Sequence, residues 1–533
     1  MGNELLSPKV IVQEAPPGIR TIEGVSTATT GIVGIFERGP VRTPKLVTSW
    51  AEFKKRYGTF ITAGKGPEGV FGYFLNGGKQ LWVSRTVHYT TISDPLTKTS
   101  VAATITLKDR AGTPLNTLRV DALYDGIWGN DLKVDIKAPT SGKETGSTAE
   151  FNLEVIEDGI VKEIFPNVSM LDTAKNYVET VINATDGTGS DLIKVTDLDS
   201  ATAAPNDRPA VAQTALAGGV DGLAALADAD FTGDSAGTTG IRAFDIVNDI
   251  RILIIPDRQT TAVHQGMQDY CEITRNKSMF AILDPPVANS YTAVVTYVET
   301  TAALLERSEF SAFYWPWVKV VNPSTTVYGG VADITVPPSG YLAGLYAQND
   351  GRKVGGIYEQ PANIENGILR GVIGLETETV NDETRRDYIY PRRINPIWKP
   401  PGLPIHVDGS RTLKALGNFP SVAERRGVIY ISESVRTGIV FAKHRNNDDR
   451  LRAEVEAAIK LFLLLQYRAG AFRGSTPDKS FFVDVSKDLN TPAVVFSRRL
   501  LVNIGLATQK PAEFIIITIS QDTRELEEEL AGV

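Results

Sequence analysis

Two spacings of apolar residues alternate along the chain and divide it into predicted elements. Apolar positions three and four residues apart, which are typical of amphipathic helices, occur over 50–57 and 70–74. The short apolar run at 32–36 and the segment 80–85 instead predict strands. We therefore expect residues 26–92 to form a compact α/β unit.

Residues 93–235 carry a different pattern and are rich in Thr, Asp, Gly and Ala. Polar and apolar residues alternate in LKVDIKA (132–138) and FNLEVIE (151–157), as in half-buried antiparallel strands. A helix over 177–182 interrupts the alternation, and loose Ala- and Gly-rich stretches follow. We interpret this region as an inserted β-rich domain with a linker at its exit.

After Gly240 the pattern becomes β–α–β–α–β. The run Ile250–Ile255 is apolar throughout, as a strand buried on both faces would be. Strands joined by right-handed helical crossovers predict a parallel, doubly wound sheet within residues 236–420, to which 367–376 adds a strand. On the first helix of this region, five residues are expected to face the core: Val263, Met267, Tyr270, Cys271 and Ile273.

Residues 421–520 combine long helices with β-prone closing segments. The spacing of apolar residues predicts helices over 428–441 and 448–469. The segments FFVDV, LLVNIGL and FIIITI predict strands. Residues 521–533 form an acidic tail, so this end of the chain is interpreted as a unit that packs and pairs.

Residues 1–25 are rich in Pro and Gly and contain little material for a core. One brief β-prone run, Val10, Ile11 and Val12, stands before the break at Pro16 and Pro17. Such a terminus is predicted to be an extended arm that becomes ordered only against something else.

Bulk composition narrows the choice of partners. A chain of 533 residues with 42% hydrophobic content is long enough for several domains. A net charge of −8 disfavours nucleic acid as a partner. Cys271 is the only cysteine, which excludes an internal disulfide and a thiolate metal site. With no apolar run of membrane-spanning length and no secretory signal, we also expect no membrane partner.

The motifs of common enzymes are missing. The sequence contains no phosphate loop, dinucleotide fingerprint, HExxH motif or GxSxG elbow. The four histidines, His88, His264, His406 and His444, are scattered. We therefore expect no cofactor, no metal and no catalytic residue.

One enzyme hypothesis stays open. Asp257, His264 and Ser339 follow one another in the order of a subtilisin-type triad. Asp257 and His264, however, are seven residues apart and flank a single strand–helix junction. Ser339 follows two prolines and is better explained as a helix N-cap. A cytosolic subtilisin-like hydrolase is thus the alternative rather than the preferred interpretation.

Segments along nearly the whole chain together resemble the sheath proteins of contractile phage tails, R-type pyocins and type VI secretion systems. At the N-terminal end these are LSPKVIVQEAPPGIRTIEGVSTATTGIVGIFERGP and FLNGGKQLWVSR. In the middle they are YDGIWGNDLKV, LAGGVDG, NDIRILIIPD, FAILDPP, FYWPWVKVVNP and VPPSGYLAGLYAQNDGR. Towards the C-terminus they are HRNNDDRLRAEVEAAIKLFL, GAFRGS and KPAEFIIITISQ. A local departure is HVDGSRTL (406–413), where sheath sequences often carry a Trp-Gly-Ala-Arg-Thr-like run.

The resemblance implies a multidomain α/β protein. Its core would be doubly wound and subtilisin-like without being catalytic, with an inserted β-rich domain and extended N- and C-terminal arms. Copies would form a helical homo-polymer of hexameric rings around an inner tail tube protein, with baseplate and tail terminator proteins as further partners. The polymer would contract to drive the tube through a target envelope, as part of a virion tail assembled in the host bacterial cytoplasm.

Two sets of residues follow from the resemblance. Arms of adjacent copies would interlock by strand pairing through Val10, Ile11, Val12, Phe514, Ile515, Ile516 and Ile517. Candidates for tube contact on the polar loop and outer helix face are Arg445, Arg450, Arg452 and Lys460. An ordinary solvated helix face is the alternative for the second set. A non-contractile shell protein is a third hypothesis for the whole chain.

Overall fold

The computed structural model describes residues 21–287, 290–352 and 355–513. Its strands are β1 (Thr30–Gly34), β2 (Lys45–Val47), β3 (Leu81–Arg85), β4 (Thr104–Lys108), β5 (Asn116–Ala122), β6 (Leu132–Lys137), β7 (Glu150–Glu157), β8 (Ile160–Ser169), β9 (Ile193–Asp197), β10 (Gln213–Ala215), β11 (Ile252–Ile254), β12 (Phe280–Leu283), β13 (Ser311–Trp315), β14 (Val318–Val321), β15 (Asp333–Val336), β16 (Val372–Leu375), β17 (Ile394–Trp398), β18 (His406–Val407), β19 (Phe481–Asp484) and β20 (Asn503–Leu506).

The α-helices of the same residues follow in chain order. They are α1 (Trp50–Tyr57), α2 (Gly66–Leu75), α3 (Val178–Ile182), α4 (Asp228–Thr232), α5 (Thr261–Asp269), α6 (Tyr291–Thr296), α7 (Thr325–Tyr328), α8 (Ser339–Asp350), α9 (Asn363–Asn366), α10 (Glu383–Ile389), α11 (Val422–Gly438), α12 (Asp449–Arg468), α13 (Pro477–Ser480) and α14 (Pro492–Phe496).

An eight-stranded sheet runs through the centre of the chain in the order β18-β17-β13-β12-β11-β1-β3-β2. The strands from β17 to β3 are parallel, and β18 and β2 pair antiparallel at the edges. The order reverses at β1, which pairs with β3 on one side and β11 on the other. All three residues of β11 are buried, which confirms the buried strand predicted over 250–255.

Between β3 and β11 the chain forms two further antiparallel sheets, β4-β5-β9 and β10-β6-β7-β8. The alternation predicted over 132–138 is confirmed in β6, where Leu132, Val134 and Ile136 are buried and the lysines are exposed. These residues belong to a hydrophobic cluster whose buried members all lie between residues 103 and 216. The two sheets therefore share a core of their own.

Helix α11 connects two hydrophobic cores. Val422 and Ile429 pack into the core of the large sheet, whereas Ile431 and Val435 pack into a third core with α12 and β19. The helix begins at Val422, six residues before the predicted start at 428. Glu424, Arg425 and Arg426 in its first turns are buried in ion pairs, which the spacing of apolar residues could not indicate. Its end at Gly438 agrees with the prediction to within three residues.

Two further expectations are corrected. Ile273 was expected to face inward, but it is 73% exposed. A π-helical turn over Tyr270–Thr274 follows α5, and the wider turn rotates Ile273 out of the apolar stripe. The strand predicted within 367–376 is β16, and it joins a small antiparallel sheet, β15-β14-β16, rather than the parallel one.

Candidate intersubunit surfaces

Asp257 serves the fold at the carboxyl edge of the parallel sheet. It follows β11, and its carboxylate accepts backbone N–H groups from Ile35 at 2.7 Å, Gly66 at 2.9 Å and Lys65. These bonds join the loop after β1 to the start of α2. Desolvation raises the pKa of Asp257 to about 7, against the opposing effect of the three N–H donors.

His264 and Ser339 have other partners as well. His264 is buried, and its Nδ1 is hydrogen bonded to the Tyr297 hydroxyl at 2.7 Å. Burial lowers the pKa of His264 to about 3. Ser339 is the first residue of α8 and follows the cap position, so the predicted N-cap role is wrong. Its backbone N–H donates to Asp284 at 2.8 Å. The structure thus engages Asp257, His264 and Ser339 in three separate interactions.

The other titratable candidates are also dispersed. Within the described ranges, no three His, Cys, Asp or Glu side chains are placed to hold a metal ion. His88 lies 3.0 Å from Asp230, and His406 lies against the Pro404 carbonyl. Cys271 is buried in the core, as its apolar surroundings predicted. Among the helices described, none has the length and apolar character that a membrane span requires.

The two-stranded sheet β19-β20 has edges that no strand covers within its own residues, and Phe472 forms an isolated bridge with Thr508 just beyond β20. Phe481 pairs with Leu506 and Asp484 with Asn503, and no other strand of the described residues joins this sheet. One face packs on α12 through Val483, while Phe482 is 55% exposed on the other. A two-stranded sheet is marginal alone, and its free backbone groups can accept a further strand.

Basic residues extend along the outer side of α12, but each is paired with a nearby acid. Arg445 and Arg450 both contact Glu454, at 2.6 and 3.2 Å, and Lys460 contacts Glu456 at 2.6 Å. The Arg450 and Lys460 side chains are 74% and 53% exposed. This surface is therefore accessible and close to neutral in charge.

Arg452 does not share the exposure expected of it. Its guanidinium contacts Asp449 at 2.5 Å and the Asn447 side chain at 3.0 Å, and only 12% of the side chain is exposed. It stabilises the start of α12 instead of facing outward. The cap of that helix is Asp448, which accepts the Leu451 backbone N–H.

The predicted arm-pairing residues lie outside the described part of the chain. These are Val10, Ile11, Val12, Phe514, Ile515, Ile516 and Ile517. What the structure does describe is where the chain continues towards them, at residues 21–27 and 508–513.

Charged residues buried on α11 were not found by sequence reasoning. Arg426 pairs with Asp350 at 2.6 Å, with both side chains under 5% exposed. Arg425 pairs with Glu309, and Glu424 accepts Lys510 at 2.6 Å. A run such as ERR normally indicates a solvated face, so the sequence held no signal that this one is enclosed.

Comparison with solved structures places the whole chain in one class of fold. The sheath of the extracellular contractile injection system PVC, in its contracted state, is 18% identical with a TM-score of 0.56, over 98% of this chain and 100% of that chain. The contracted helical sheath of the anti-feeding prophage is 17% identical with a TM-score of 0.56, over 97% and 99%. A sheath tail protein from Listeria innocua is 12% identical with a TM-score of 0.58, over 88% and 90%.

The fold is thus that of contractile sheath proteins, and it extends over nearly the full length of the chain. Neither a protein-family model nor a curated protein sequence matches. The predicted resemblance to tail sheath proteins is confirmed at the level of the fold, which is a multidomain α/β fold.

Proposed function

We propose that this protein is the structural subunit of a contractile tail sheath. Copies polymerise helically around an inner tail tube, and contraction drives the tube through the envelope of a target cell. The observation that carries the proposal is the fold shared with sheath proteins over almost the entire chain, including two from contracted sheaths. Because few residues are identical, the shared fold supports the architecture alone. The specific partners are therefore argued from residues of this chain.

Polymerisation is proposed to occur by strand exchange. The acceptor is the open sheet β19-β20, and the donors are the segments around Val10–Val12 and Phe514–Ile517 of neighbouring copies. A strand added along four residues forms two to four hydrogen bonds, each worth about 1 kcal/mol net, so each link contributes roughly 2–4 kcal/mol. Such contacts are head-to-tail, and head-to-tail contacts generate an open helix when the rotation between copies does not close a ring.

Contraction is proposed to draw its free energy from packing between copies. Helix α11 packs into both the large-sheet core and the C-terminal core, and the inserted sheets have a hydrophobic cluster of their own, so each subunit can move as a near-rigid body. We interpret the large sheet as a non-catalytic relative of the subtilisin-like α/β domain. No nucleotide or other cofactor enters this scheme.

The remaining partners follow from the proposed role. The subunits form hexameric rings stacked along the tube, bounded by baseplate and tail terminator proteins, within a virion tail assembled in the host cytoplasm. We propose the same domain bounds that the sequence predicts.

Tube contact is proposed for the exposed basic residues beside α12, namely Arg445, Arg450 and Lys460, with Arg452 holding the helix start. Each of these basic side chains already has an acidic partner. A tube surface must therefore compete with Glu454 and Glu456 for the basic side chains. Arg450→Glu with Lys460→Glu should abolish assembly on tubes. The same charge change at the exposed residues Lys108 and Lys133 of the inserted sheets is the control. Unchanged co-assembly of the α12 variant would refute this contact.

Electron microscopy of the purified full-length protein tests the function itself. Helical tubes with the appearance of a contracted sheath are expected. Tubes that bind an inner tube but never shorten would instead indicate a non-contractile shell, and a stable monomer would contradict both. Deleting residues 1–20 should leave a folded, soluble monomer that cannot polymerise.

A further inference from the structure

The two ends of the described chain are attached to the body in different ways, and both attachments involve α11. We define the N-terminal root as residues 21–27 and the C-terminal strap as residues 508–513. The root lies along α11 from Arg426 to Gly438, while the strap crosses the start of the helix at Glu424. Both attachments thus contact the same helix, which is about 25 Å long.

The N-terminal root is held by buried contacts. Ile22 is 6% exposed and lies so close to Gly438 that a Cβ there would be 2.5 Å from its side chain. The Val25 backbone N–H donates to the Ser434 hydroxyl at 3.1 Å. The Thr27 carbonyl accepts from Arg426, whose guanidinium is also enclosed in its pair with Asp350.

The C-terminal strap is held mainly by side chains near the surface. It begins where Thr508 bridges to Phe472, and the Thr508 hydroxyl donates to Glu424 at 2.7 Å. Lys510, 51% exposed, donates to the same Glu424 at 2.6 Å.

The far end of the strap is held by a second ion pair, between Glu513 and Arg411. Glu513 accepts the Arg411 Nε at 3.1 Å and a second nitrogen of the same guanidinium, with the two side chains 22% and 15% exposed. Arg411 stacks over Tyr390 at 3.8 Å. Pro511, Ala512 and Glu513 line one side of a 530 Å³ cleft, which leaves room beside the strap.

None of residues 508–513 is buried, whereas the root is fixed by the buried side chain of Ile22. Ion pairs that water can reach, such as those of Lys510 and Glu513, open more readily than buried apolar contacts, because water and salt replace the lost partner. We propose that the C-terminal strap is a releasable latch and the N-terminal root a fixed anchor. The existence of the polymer rests on the proposed function. In that polymer, the link that continues from residue 513 accommodates the change in orientation between copies. The connection leaving from residue 21 moves with the body.

Site-directed spin labelling tests the latch in the full-length chain. Ala512 and Glu23 are both exposed, and the native Cys271 is buried, so a cysteine at either position can be labelled selectively. In a Lys510→Gln, Glu513→Gln background, the mobile fraction of the label at 512 should rise about tenfold relative to the immobile one. The label at 23 should not respond. Raised salt should likewise increase the mobility of the label at 512 and leave the label at 23 unchanged.

The matched control is Lys487→Gln with Glu378→Gln. It removes two exposed ion pairs, with Asp449 and Lys399, at the same net charge and away from the strap. Equal mobility gains at 512 and 23, or none at 512, would overturn the inference. Because the spectra need no polymer, a chain that forms no tubes but releases its strap would contradict the proposed function alone. In tubes, the label at 512 should change mobility on contraction, and an unchanged spectrum would refute the role in contraction.

Discussion

Asp284 offers a stability test whose size follows from its surroundings. It lies at the carboxyl end of β12, where its carboxylate accepts the Ser339 backbone N–H at 2.8 Å. Complete burial raises its pKa from 3.8 to about 7, and the negative charge of Asp257 adds to the effect. The folded protein therefore holds a proton on this carboxyl that the unfolded chain releases.

The sign of the pH dependence follows directly. A carboxyl with a raised pKa in the folded state stabilises the fold fully below the unfolded pKa of 3.8, and that stability is lost as the pH rises through about 7. A shift of about three units corresponds to roughly 4 kcal/mol, of which roughly 3 kcal/mol falls between pH 5 and pH 8. Asp284→Asn keeps an acceptor for Ser339 and cannot ionise, so it should escape this loss.

Urea denaturation of both proteins at pH 5 and pH 8 measures the effect. Asp284→Asn should match the wild type at pH 5 and exceed its free energy of unfolding by roughly 3 kcal/mol at pH 8. Groups that do not interact with Asp284 are common to both proteins and cancel in the comparison, and Asp257, which does interact with it, is replaced separately. An equal difference at both pH values would refute the reasoning.

Asp257→Asn is the contrasting variant. Asp257 has a similarly raised pKa, but both its carboxylate oxygens accept backbone N–H groups. An amide NH₂ would have to face one of these donors, so this variant should lose stability at both pH values. If it behaved like Asp284→Asn, the three backbone hydrogen bonds could not be important.

Further predictions concern packing and buried charge. Gly340→Ala should destabilise by about 1–3 kcal/mol, because its Cβ would lie 2.2 Å from the Gly69 backbone where α2 and α8 cross; Gly330→Ala, with open space, should be nearly neutral in thermal unfolding. Arg426→Met should cost about 3–5 kcal/mol by leaving Asp350 buried and unpaired, whereas Arg450→Met on exposed α12 should change the unfolding midpoint little. Equal midpoints within either pair would contradict the packing or the burial argument, respectively.

Local sequence was sufficient where a segment's environment is set by its own periodicity. Helix α12 was predicted over 448–469 and spans Asp449–Arg468, because its apolar positions repeat at helical spacing and Asp448 supplies a cap. The buried strand within 250–255 and the alternation of β6 were recognisable for the same reason. The collinear motifs added the sheath resemblance, which the fold comparison bears out.

Contacts between distant segments decided the rest. Arg411 and Glu513 are 102 positions apart, and the ERR run of α11 meets Glu309, Asp350 and Lys510 only after the chain has folded. A charged residue in a sequence is expected to be exposed to solvent unless its ion-pair partner is known. Tertiary packing determines which residue that partner is. The sequence by itself thus determined the elements with a clear periodicity and the class of fold. Only the tertiary structure decided which charges are enclosed, that Ile273 faces outward, and that residues 21–27 and 508–513 both contact α11, since burial and contact depend on the whole fold.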